Sequence, residues 1–120
     1  MHKVGDAVWV FNANRRVYRK DENGRSVGGP IFREHFLSRE IVDETSRSWL
    51  VGLGRMKVPK IGGDVREGVG GVRVYMTQEA VDAAVYRHDH RHKIARAIET
   101  CADVAVLRQV AALVGYKAEE

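Results

Sequence analysis

The sequence predicts an α+β protein, with an antiparallel β-barrel over residues 1–76 and a helical hairpin over 77–120 packed on it as one structural unit. Three observations predict this. Short β-branched and aromatic runs, separated by polar or glycine-containing turns, fill the chain from Val4 to Lys60. Five of the ten residues from Gly62 to Gly71 are glycine, a composition costly to order that reads as a mobile loop, a hinge or a wide hairpin. After Met76 the apolar spacing changes from two to three and four.

The first strand is Val4 to Phe11, β-branched and aromatic behind a Gly5-Asp6 turn pair. A second unit, Arg15 to Lys20, runs into Asp21-Glu22-Asn23-Gly24. Asn-Gly adopts the positive φ angles of a tight turn, so the chain doubles back through Arg25 to Val27. Gly28-Gly29-Pro30 is expected to end that pairing, because two glycines and a residue without an N–H sustain a ladder poorly. Strands follow at Phe32 to Val42, Ser48 to Val51 and Arg55 to Pro59, with Val72 to Tyr75 as one more. Val8, Val10, Ile41, Trp49, Val51 and Val58 are the core candidates. Trp9, Phe11 and Tyr18 fall on the opposite alternation, where they either line a binding face or pack under a loop.

The first helix starts at Thr77, an N-cap, and carries the stripe Val81, Ala84, Val85, His88, His92, Ala95, Ile98. Thr100 and Asp103 form a T-x-x-D start signal for a second helix. That helix bears Val104, Leu107, Val110, Ala111 and Val114 and stops at Gly115, where a helix C-terminus favours positive φ.

The chain has 120 residues, 20 basic and 16 acidic, for a net charge of +4. That length excludes large catalytic scaffolds paired with a cofactor domain. One cysteine, Cys101, excludes an internal disulfide and a Cys-rich zinc site, and fits a reducing, cytoplasmic setting. No apolar run approaches the roughly 20 residues of a membrane span, and no signal-peptide core opens the chain. No membrane partner and no cofactor are expected. The charge is uneven: residues 1–60 hold 12 basic against 7 acidic side chains (+5), and residues 61–120 hold 8 against 9 (−1).

The basic excess clusters at Arg15, Arg16, Tyr18, Arg19 and Lys20, with Arg25 across the turn. On a hairpin, alternation spreads these cations over two faces with an aromatic among them. Such a ribbon grips a nucleic-acid backbone while stacking a base, and equally protects an exposed strand edge from aggregation. A second basic group, Arg87, Arg91 and Lys93, is interleaved with His88, Asp89, His90 and His92. His88 and His92 stand four apart, as on zinc-binding helices, and His88, Asp89, His90 and His92 are weak metal candidates. The alternative is that both lie on the buried stripe with the charged neighbours solvated. Glu44-Thr45-Ser46-Arg47-Ser48 reads as a turn whose hydroxyls bond the local backbone. No nucleophile elbow, Ser-His-Asp order or close carboxylate pair is visible, so no enzyme activity is expected.

The opening Val4-Gly5-Asp6-Ala7-Val8-Trp9-Val10-Phe11 and the meander behind it resemble the start of SH3-like small barrels of the KOW and Tudor type. That resemblance covers about half the chain. The whole arrangement, with Thr45-Ser46-Arg47-Ser48-Trp49 and Leu107 to Tyr116, is also similar in style to uncharacterised accessory proteins of bacteriophages and prophages. SH3-like barrels bind RNA, DNA, peptides or host proteins, so the resemblance implies a binding module and leaves the ligand open. The leading expectation is a non-catalytic module that contacts nucleic acid or a nucleoprotein complex through the basic hairpin, helped by Arg87, Arg91 and Lys93. The rival is a phage-type factor that docks on a host enzyme or defence complex, inhibiting or redirecting it through Trp9, Phe11 or the helices.

Overall fold

The computed structural model describes residues 2–117. Eight strands precede two helices: β1 Ala7–Phe11, β2 Tyr18–Lys20, β3 Ser26–Pro30, β4 Phe36–Glu44, β5 Ser48–Val51, β6 Met56–Pro59, β7 Val65–Glu67, β8 Arg73–Tyr75, α1 Gln78–Glu99 and α2 Val104–Val114. Six strands form one antiparallel sheet in the order β6-β5-β4-β1-β8-β7, and β2 and β3 form a separate two-stranded sheet. The large sheet curls until its edges nearly meet. Val69 N–H donates to Lys57 O at 3.2 Å across the gap. The Arg66 guanidinium spans the same seam, donating to the carbonyls of Pro59 and Lys60 at 3.0 Å each, while its remaining N–H groups reach Gly62 and Gly63. The expected α+β class with an antiparallel near-barrel ahead of two helices is the observed one.

Period-2 alternation on β1 divides its side chains between two cores. Val8 faces the barrel interior with Ile41, Trp49, Val51, Val58, Val74 and Met76, and Val10 packs against that group. Trp9 and Phe11 face the other way, against Phe36, Tyr75 and the first turns of α1 at Val81, Ala84 and Val85. The rings there meet edge to face: Phe36 and Tyr75 lie 4.8 Å apart, and Phe11 and Phe36 lie 5.2 Å apart. Thr77 caps α1 as expected, its hydroxyl accepting from Ala80 N–H at 3.1 Å. The compact barrel unit therefore runs to Val85 and includes the start of α1, and Tyr86–Glu120 forms a second unit.

Several boundaries differ from the expected ones. Phe32–His35 is a 3₁₀ turn, not strand, and β4 begins after it. Gly28-Gly29-Pro30 does not end the hairpin. Pairing steps from Arg19↔Val27 to Tyr18↔Pro30, so the two glycines form a bulge, which Gly28 permits with φ +72°. The glycine-rich stretch is a wide hairpin that contains β7, closed by Gly68 N–H donating to Val72 O at 2.7 Å. Asp103 alone caps α2, accepting from Ala105 and Val106 N–H, while the Thr100 hydroxyl donates back to the end of α1. Gly115 takes the left-handed conformation foreseen for it, φ +73°.

Candidate nucleic-acid interface

The β2–β3 hairpin is built by its turn. Asp21 accepts from Asn23 N–H and Arg25 N–H at 2.9 Å each, Gly24 supplies φ +77°, and Asp21 N–H donates to Arg25 O at 2.9 Å. The Asp21 carboxylate is thereby occupied by backbone. Every residue from Arg19 to Pro30 is exposed, as are Arg15 and Arg16, and Tyr18 is half-buried. β2 begins at Tyr18, so Arg15 and Arg16 belong to the approach segment and not to the ladder. Arg15 lies a loose 3.9 Å from Glu34, and Lys20 Nζ donates to Ser26 Oγ at 2.9 Å. Arg16, Arg19 and Arg25 form no salt bridge with any carboxylate among the described residues.

Three other cations of the barrel unit are ion-paired, whereas Lys3, Arg39, Arg47, Lys57 and Arg73 form no salt bridge among the described residues. Arg33 pairs with Asp82 and Arg55 with Asp43, both at 2.8 Å. Lys60 binds Glu44 at 2.6 Å and sits 4.6 Å above the Trp49 ring. The hydrogen bond from Arg33, then that from Gln78, holds the Asp82 carboxyl below the usual aspartate range. Asp43 is lowered first by the Glu44 backbone N–H and next by Arg55. Neither group lies at the hairpin.

No protein-family model, characterised protein or solved structure matches this chain.

Arg87, Arg91 and Lys93 are exposed on α1, in the second unit. Trp9 and Phe11 are half-buried in the aromatic cluster, their rings committed to packing against Phe36, Tyr75 and α1. His88 and His92 do not lie on a buried stripe. Both are exposed, because burial on α1 ends at Val85, one turn before His88. The four metal candidates do not converge either: His88 Nδ1 bonds its neighbour Asp89 at 3.2 Å, and the His90 ring meets the Tyr86 ring at a 43° tilt with centroids 4.5 Å apart. Among the described residues no three His, Cys, Asp or Glu side chains are placed to hold a metal ion. The Thr45 turn is as expected, with the Thr45 hydroxyl accepting from Ser48 N–H at 3.1 Å.

Two roles escaped the sequence reading. Arg66 serves as the seam of the barrel, and Lys60 as a lid over Trp49; in sequence both are indistinguishable from solvated cations.

Proposed function

We propose that this protein is a non-catalytic binding module that contacts nucleic acid, free or within a nucleoprotein complex, through the β2–β3 hairpin. One observation carries the reading: a hairpin outside the main sheet presents Arg19 and Arg25, with Arg16 on the segment that leads into it, all three exposed and without a salt bridge among the described residues. Guanidinium groups bind phosphate oxygens through paired N–H donors, and cations on a narrow ribbon can follow a phosphate backbone. Such contacts position the protein without selecting a sequence. The resemblance of the barrel to SH3-like modules is in keeping with that role, and Arg87, Arg91 and Lys93 are the candidate auxiliary contacts.

Fluorescence anisotropy with labelled duplex DNA and single-stranded RNA over a salt series tests the reading. Three phosphate contacts imply a slope of log affinity against log salt near −3 for a duplex. Combined alanine substitution of Arg16, Arg19 and Arg25 is expected to flatten that slope and abolish measurable binding. A salt-independent affinity, or one unchanged by the triple substitution, overturns the proposal.

A further inference from the structure

Register divides the β2–β3 hairpin into two faces. Arg19 pairs with Val27, and Asp21 N–H donates to Arg25 O two residues nearer the turn, so Arg19, Val27 and Arg25 share one face. Lys20 pairs with Ser26 on the other, the two side chains joined by a 2.9 Å hydrogen bond. Arg19 and Arg25, neither of which forms a salt bridge among the described residues, therefore stand on the same side. They are staggered by two residues, about 7 Å along the strands. Val27, beside Arg19, is 51% exposed. Asp21 shares that face, but its carboxylate is taken up by Asn23 and Arg25 N–H, and Glu22 stands in the turn, outside both strands.

Beyond Val27 the ribbon loses its side chains. Arg19 pairs with Val27 and Tyr18 with Pro30, so Gly28 and Gly29 have no opposite residue on β2. Gly28 is needed for its φ of +72°, whereas Gly29 has no positive φ and nothing within 4 Å of where a Cβ would stand. The fold does not require glycine at 29. Gly54 and Gly63 are equally unconstrained, but Arg55 beside Gly54 is held by Asp43, and the Gly63 carbonyl is held by Arg66. Glycine suits a place where main chain and ligand approach closely, and at Gly29 that opening adjoins Arg19.

We infer that the ligand of this hairpin is duplex DNA, met at its major groove, with Arg19, Val27 and Arg25 facing the groove and the Gly28–Gly29 bulge giving passage to one phosphate strand. The inference rests on the nucleic-acid reading proposed above and adds which nucleic acid is bound. Shape selects it. The major groove of B-form DNA is about 12 Å wide and admits a two-stranded ribbon, whereas that of A-form RNA is too narrow for side chains to read. A single strand is held by stacking its bases on aromatic rings. The hairpin offers no such platform: no aromatic residue lies between Arg19 and Pro30, and Tyr18 is half-buried on the Lys20 face. In the groove, guanidinium groups reach phosphates or guanine O6 and N7, and Val27 meets a thymine methyl.

Anisotropy titrations of the full chain against duplex DNA, duplex RNA, single-stranded DNA and single-stranded RNA of equal phosphate number test this. Duplex DNA is expected to bind about tenfold more tightly than each of the other three. The complex is expected to protect guanine N7, which opens into the major groove, from methylation by dimethyl sulfate. Gly29→Val is expected to weaken duplex DNA binding by about tenfold, the loss of one good contact. Unshifted amide resonances of Asn23 and Gly24 verify that the turn is intact in that variant. Gly54→Val is expected to leave the affinity unchanged. RNA or a single strand bound as tightly as duplex DNA, an unprotected guanine N7, or native affinity in Gly29→Val overturns this inference alone. Binding to none of the four overturns the nucleic-acid reading and this inference with it.

Discussion

Asp82 is the residue whose environment makes the sharpest prediction. Its carboxylate accepts from Arg33 Nη1 at 2.8 Å and from Gln78 Nε2 at 3.1 Å, tying α1 to the 3₁₀ turn. A carboxyl depressed in the folded state stabilises it above the unfolded value near 3.8 and loses that contribution as pH falls through the folded value. Both side chains are about half exposed, so screening keeps the effect small. Arg33→Ala is expected to raise the Asp82 titration midpoint toward the ordinary aspartate value, read by carboxyl NMR, and to shift acid unfolding to slightly higher pH. At this scale the sequence is least legible. Lys60, Arg66 and Arg25 look alike as cations, yet Lys60 is held over Trp49 and Arg66 by four carbonyls, while Arg25 forms no salt bridge among the described residues.

Among elements, the seam between β6 and β7 depends on one side chain. Arg66 donates to four backbone carbonyls, from Pro59, Lys60, Gly62 and Gly63, at 2.9 to 3.2 Å. Charged donors contribute more than neutral ones, so Arg66→Ala is expected to lower stability by about 2 kcal/mol in urea unfolding. Arg66→Lys is expected to recover little of it, because an ammonium cannot span four carbonyls in a plane. Stability unchanged in the alanine variant would remove the seam from the account. The hairpin was legible here, since Asn23-Gly24 specifies its turn locally. Its full length was not, because Gly28 and Gly29 look like a stop until the partner strand shows that they form a bulge.

For the whole molecule, protection from solvent divides within α1. Val81, Ala84 and Val85 are buried with Phe36 and Tyr75, whereas no residue of α2 is buried. Amide hydrogen exchange is therefore expected to find β1, β4 and β5 strongly protected and α2 exchanging orders of magnitude faster. Equal protection of α2 and the barrel would contradict the division. Among the described residues no helix is long and apolar enough to cross a membrane.

The sequence by itself determined the order of strands before helices, the hairpin turn, the barrel core of Val8, Ile41, Trp49, Val51 and Val58, the Thr77 cap and the Gly115 stop. The turn, the cap, the helix stop and the inward alternation within each strand depend on residues within a few positions of one another, where periodicity and φ preference act directly. Only the tertiary structure decided where the α1 stripe stops being buried, that Trp9 and Phe11 face the aromatic cluster, and which arginines are ion-paired among the described residues. Burial and ion pairing are properties of neighbours brought together from distant positions, such as Arg33 with Asp82 or Phe36 with Tyr75. A pattern read along the chain carries a side chain's period but not the identity of what packs against it.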